Sequence, residues 1–108
     1  MKIHSFRDLD VWKMSMDMVE AIYYFTNKLP ASENYILIQQ MRRATISIPS
    51  NIAEGSGRES TKEFLQFINI AIGSSCELQT QLLLVGRIYR KLSVEGDSLL
   101  EKLQRKLN

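Results

Sequence analysis

Between Ser60 and Leu92 one line of mostly apolar residues runs at helical spacing. Phe64, Ile68, Ala71, Ser75, Leu78, Leu82, Val85, Tyr89 and Leu92 are separated by alternating steps of four and three, the period of one face of an α-helix. A seam about eight turns long needs other helices to cover it, so it commits the chain to a helical bundle. Ser60 followed by Glu63 is a capping box, in which each side chain satisfies an orphan backbone N–H. Arg87, Arg90 and Lys91 lie where cations suit the negative end of the helix dipole.

Gly and Pro are scarce, and they punctuate the chain at Pro30, Gly55, Gly57 and Gly96. Between these marks the pattern predicts helices over 7–28, 33–55, 60–92 and 96–107. Together they make one all-α domain over residues 1–108, an antiparallel up-and-down four-helix bundle. In the second helix Leu37, Met41, Ala44, Ile48 and Ile52 keep helical phase through Pro49. An interior proline removes a donor and crowds the preceding turn, so one helix bent near residues 45–49 is expected. Gly55 reads as a C-cap glycine in a left-handed turn. The fourth helix is short.

The first helix carries two apolar stripes, Trp12–Met16–Val19–Tyr23 and Val11–Met14–Met18–Ile22–Phe25. A helix of a lone small bundle needs one. The extra stripe either widens the core face or buries against another subunit. The small interior of a 108-residue chain favours the subunit.

Few catalytic templates fit. His4 is the sole histidine and Cys76 the sole cysteine, too few for a zinc site or an internal disulfide. Gly55-Ser56-Gly57 lacks the Gly-Lys-Ser/Thr that completes a phosphate loop. No Glu-x-x-His pair supports a di-metal bundle. Cys76 reads as a small buried hydrophobe. The expectation is a non-enzyme with no cofactor, metal or small-molecule substrate. No apolar run reaches the roughly 20 residues that span a bilayer. MKIHSFRDLD lacks the apolar stretch of a signal peptide, and a reducing, cytoplasmic setting is expected.

The segment RRATISIPSNIAEGSGR, residues 42–58, is the most informative. Arg43, Ser47, Ser50, Asn51, Glu54 and Arg58 recur at steps near three and four, a polar ribbon beside the apolar stripe. On the third helix Gln66, Asn69, Gly73, Glu77 and Gln81 form a comparable track. Gly73 and Ser74 are small enough to admit another backbone. Arg43 or Arg42 is placed to pair with Glu77 or Glu54, within or between subunits. Three readings stay open: solvated faces, polar contacts that fix register or oligomer state, and a ligand or nucleic-acid site. Arg58 and Lys62 also flank the start of the third helix, where free N–H groups suit a phosphate, although Glu59 and Glu63 compete there. Tyr23, Tyr24 and Trp12 read as core or interface residues.

The segments FRDLDVWKMSMDMVEAIY, LPASENYILIQQMRRATISIPSNIAEGSGRES and KEFLQFINIAIGSSCELQTQLLL together resemble the four-helix bundle proteins encoded in 23S ribosomal RNA intervening sequences. Arg42, Arg43, Ser47, Ile48, Pro49, Ser50, Asn51, Ile52, Ala53, Glu54 and Gly55 carry the most specific part, with Gly73, Ser74 and Glu77 as a second cluster. The resemblance implies a ring-like homopentamer whose polar network is Arg43, Ser47, Ser50, Asn51, Glu54, Gly73, Ser74 and Glu77. It also implies RNA or a ribonucleoprotein as partner, with Arg42, Arg43, Arg58 and Lys62 neutralising phosphates. Related accessory proteins of diversity-generating retroelements are strongly basic. This chain, with 14 Lys and Arg against 12 Asp and Glu, is barely so.

Overall fold

The computed structural model describes residues 5–90 and 97–108. Four α-helices run through them: α1 (Asp10–Thr26), α2 (Leu37–Ser56), α3 (Thr61–Ile88) and α4 (Asp97–Leu107), with no strand among the described residues. Side-chain contacts set their directions. Arg42, near the start of α2, bonds Thr26 and Asn27 at the end of α1. Ser47 meets Ser74, Gln104 reaches Ser75 and Gln79, and Lys106 approaches Asp10 at 3.9 Å. Each helix is therefore antiparallel to the next, and α4 closes back on α1.

The core follows the helical periods. On α3, Ile68, Ala71, Ser75, Leu78, Leu82 and Val85 are buried, while Phe64 and Tyr89 pack at the margin. All five of Leu37, Met41, Ala44, Ile48 and Ile52 are buried on α2. Leu100, Leu103 and Leu107 complete the interior from α4. Of the two α1 stripes, Met18, Ile22 and Phe25 are fully enclosed, whereas Met16 and Tyr23 remain 42% and 38% exposed. The core encloses one stripe; of the other, Trp12 packs half-buried against it, while Met16 and Tyr23 reach the surface.

Several expectations need correction. The first helix begins at Asp10; before it Phe6–Asp8 is a 3-10 turn, started by Ser5 Oγ accepting from the Arg7 N–H. The second begins at Leu37 rather than residue 33. Pro30 opens a separate 3-10 turn over Ala31–Glu33, and Ile36 (φ −122°, ψ −95°) breaks the helical path. α3 stops at Ile88 because Tyr89 turns out of helical geometry (φ −115°, ψ 69°) and its hydroxyl donates to Glu33 Oε2. The expected extension over Lys91 and Leu92, the mark at Gly96 and His4 lie outside the described residues. α2 continues unbroken through Pro49, whose ring is buried. Gly55 is not a C-cap. It is buried inside α2, where an added Cβ would lie 2.7 Å from Phe67 Cβ and 3.3 Å from the Phe64 carbonyl oxygen. The glycine is needed for close helix approach, and Gly57 takes the C-cap with φ −83°. Cys76 is exposed, one step off the buried seam at Ser75.

Candidate functional site

The seam between α2 and α3 gathers most of the signature residues. Ser47 Oγ and Ser74 Oγ stand 2.8 Å apart, joined by one hydrogen bond whose donor is either hydroxyl. Asn51 Nδ2 donates to both the Ser47 carbonyl, at 2.8 Å, and Ser47 Oγ, at 3.0 Å. This half-buried triad locks α2 to α3 at one register. The Ser50 hydroxyl donates back to the Ile46 carbonyl, 2.8 Å away, and stays exposed.

The charged members lie outward. Glu54 Oε1 accepts from Arg58 Nη2 at 2.6 Å, and the Arg58 guanidinium covers the Phe67 ring at 4.8 Å. An exposed pair one helical turn apart adds only a few tenths of a kcal/mol. In the Ser47–Ser74 register Arg43 and Glu77 stand at about the same level on the two helices. Both are exposed, and neither has a hydrogen bond or ion pair among the described residues. The expected link from Arg42 or Arg43 to Glu77 or Glu54 is thus not made within this chain. Nor does anything in the chain approach Gly73, which is exposed and whose Cβ would have no neighbour within 4 Å.

The four expected phosphate ligands do not form one patch. Arg42 Nε donates to Thr26 Oγ1 at 3.0 Å and its Nη2 to Asn27 Oδ1 at 2.9 Å. Its guanidinium lies 4.3 Å from the centre of the Tyr23 ring, so it clamps the end of α1. Arg58 is held by Glu54 and Phe67. Arg42 and Arg58 are separated by about 24 Å along α2 at 1.5 Å per residue. Arg43, level with Glu77, and Lys62, at the start of α3, keep exposed side chains without an intrachain partner. The start of α3 is already occupied. Ser60 Oγ accepts from the Glu63 N–H at 3.1 Å and donates to Glu63 Oε1 at 3.2 Å. The glutamate therefore bonds the Ser60 hydroxyl rather than its backbone N–H, and keeps a carboxylate where a phosphate would sit.

Two apolar surface features remain, the first built on the α1 stripe that the sequence pattern assigned to another subunit. Trp12, Met16 and Val19 of α1 form an open apolar groove with Ile46, Pro49 and Ala53 of α2, which gives the buried side of the Pro49 ring its partners. Tyr35, Ile36, Leu83 and Ile88 are between 57% and 87% exposed at the end of the bundle where α2 starts and α3 stops. The run Leu82-Leu83-Leu84-Val85 signalled this, since one buried helix face cannot take four consecutive apolar residues. Among the described residues no group of three His, Cys, Asp or Glu is placed to hold a metal ion, and no helix is long and apolar enough to cross a membrane.

Residues 7–108 match the sequence profile described as 23S rRNA-intervening sequence protein. Among solved structures the chain is similar to a protein with unknown function from the S23 ribosomal protein family of Bacteroides thetaiotaomicron. The TM-score is 0.75 at 21% identity, over 90% of this chain and 94% of that one. At that identity the likeness shows the shared fold. No curated protein matches the chain.

Proposed function

The chain belongs to the 23S rRNA-intervening sequence protein family, and from that premise we propose a non-enzymatic bundle that assembles as a ring-like homopentamer and in that form binds RNA or a ribonucleoprotein. The observation that carries the assembly is the outer apolar stripe of α1, with Met16 42% exposed beside the groove of Trp12, Val19, Ile46, Pro49 and Ala53. A contiguous apolar groove on so small a domain marks an interaction surface. A bend of α2 at Pro49 follows from the donor that proline removes, and it shapes the same surface. Of the four cations first expected at phosphate, Arg42 and Arg58 are held within the chain, so the phosphate contacts fall to exposed arginines without an intrachain partner. A ring multiplies such modest contacts into avidity.

Native mass of the purified protein, with and without nuclease and with its ultraviolet absorbance ratio, tests both halves together. A pentamer that sheds nucleic acid on nuclease treatment is the expected result. A monomer free of nucleic acid would sink the reading. A pentamer that never carries nucleic acid would leave a protein-interaction scaffold, the second reading, favoured by the Ser47–Ser74–Asn51 triad that fixes helix register.

A further inference from the structure

The two ends of the bundle carry charge differently. At the end where α2 and α3 are joined, Arg58 pairs with Glu54, Glu63 caps Ser60, and Lys106 lies near Asp10. Basic and acidic groups interleave there. At the other end Arg87 and Arg90 are exposed and have no intrachain partner among the described residues. Among the described residues Glu33 accepts here from the Tyr89 hydroxyl, and Glu77 lies farther down α3, level with Arg43.

Tyr35 stands at the same end, 87% exposed, and its ring does not serve the core. Tyr35 sits in a turn held on both sides, by the Tyr89–Glu33 hydrogen bond and by the Arg42 clamp on Thr26 and Asn27. A turn already held in place pays less ordering cost on binding. Exposed rings among cations are what single-stranded RNA requires, because unpaired bases stack on aromatic faces while guanidinium groups track the phosphates. The cations at this surface are mostly arginines, which also engage phosphate bidentately.

We infer that single-stranded RNA binds at this end of the bundle, its bases on Tyr35 and its phosphates on Arg87 and Arg90, and not at Arg58 and Lys62. The assignment rests on the RNA-binding reading above and names its surface. The exposed Leu83 and Ile88 make an anionic lipid surface the competing partner. A helix lying on lipid presents a continuous apolar face, whereas here Arg87 and Arg90 interrupt it.

Binding of the full-length protein to a fluorescent single-stranded RNA of about 16 nucleotides, followed by anisotropy across a salt series, tests it. The joint change Arg87→Gln with Arg90→Gln is expected to weaken binding and reduce the salt slope by about 1.4, near 0.7 for each phosphate no longer neutralised. Tyr35→Ala is expected to weaken binding roughly fivefold to a hundredfold at unchanged slope, and Tyr35→Phe to restore it. Lys62→Gln is expected to bind as wild type. Circular dichroism should be the same for all, since none of these side chains has a partner in the fold. If Lys62→Gln alone lowers the slope, the surface lies at the other end: this inference falls and RNA binding stands. If the wild type binds no RNA, both fall. If the wild type prefers phosphatidylserine vesicles, and releases them once Arg87 and Arg90 are replaced, this end is a membrane surface and the inference is overturned.

Discussion

Gly55 and Phe67 are in contact so close that residue 55 cannot carry a side chain: its Cβ would stand 2.7 Å from Phe67 Cβ. α2 and α3 approach most tightly there, just before the chain turns between them. Gly55→Ala gains about 1 kcal/mol of helix propensity. It must also push two helices apart, and overpacking costs about 1–3 kcal/mol. The net expectation is destabilisation by up to about 2 kcal/mol in urea unfolding. Gly57→Ala is the control. Its Cβ meets only the Glu54 carbonyl oxygen at 3.6 Å, and its φ of −83° suits any residue. It should be neutral, or stabilising by about 0.4–1 kcal/mol.

Thr45 is fully buried on α2, and its hydroxyl has no hydrogen-bond partner among the described residues. Four residues on, Pro49 lacks the N–H that would bond the Thr45 carbonyl. A buried hydroxyl without a partner carries a desolvation cost, and an apolar group of the same shape removes it. Thr45→Val is therefore expected to raise stability by about 1 kcal/mol. A lower urea midpoint would mean that the hydroxyl is satisfied in solution.

The Tyr89–Glu33 contact has a defined pH signature. The hydrogen bond to Glu33, then desolvation, then the repulsion of the Glu33 charge raise the Tyr89 phenol above its usual 10.0. The folded value exceeds the unfolded one. The stability it lends is therefore complete below pH 10.0 and is lost as pH climbs through the raised value. Glu33→Gln should bring tyrosinate absorbance in at lower pH than in wild type. It should also abolish the part of the alkaline stability loss that Tyr89→Phe removes. Coincident titrations of wild type and Glu33→Gln would show that the bond does not hold in solution.

Arg43 and Glu77 have no partner within the chain, so removing either costs the isolated bundle almost nothing; surface changes away from special features usually stay within about 0.5 kcal/mol. In the proposed ring they are free to pair between neighbours. Arg43→Ala and Glu77→Ala are each expected to lower native mass while leaving helicity intact. Unchanged pentamer mass in both variants would remove these residues from the assembly surface.

The bundle was readable because burial imposes a period. Met41, Ile48 and Leu78 could be assigned to the core from spacing alone, and the α3 seam survives as far as Tyr89. What spacing does not carry is the rotation and register of one helix against another. Arg42 and Arg43 are neighbours about 100° apart around α2. The antiparallel fit to α1 turns the first onto Tyr23 and Thr26 and leaves the second outside. Gly55 shows the same limit. A C-cap and a tight helix crossing both demand glycine, and only the position of Phe67 separates them. The α1 stripes were visible as two, but which faces inward depends on where α2 and α4 lie. Tyr35 escaped notice because the periodic pattern ran the second helix from residue 33, whereas this residue lies in the turn before α2.

α3 has 28 residues and α4 has 11, about 42 Å against about 16 Å at 1.5 Å per residue. Contacts of Gln104 with Ser75 and Gln79, and of Leu107 near Phe64 and Ile68, place that short helix along the middle of its long neighbour. Cooperativity is consequently uneven along one rod. Amide hydrogens near Ala71 and Ser75 are shielded by helices on several sides and should exchange only through global opening. Those near Leu84 and Ile88 can open by a smaller excursion, so the RNA end named above belongs to the stretch of α3 that is least costly to reshape.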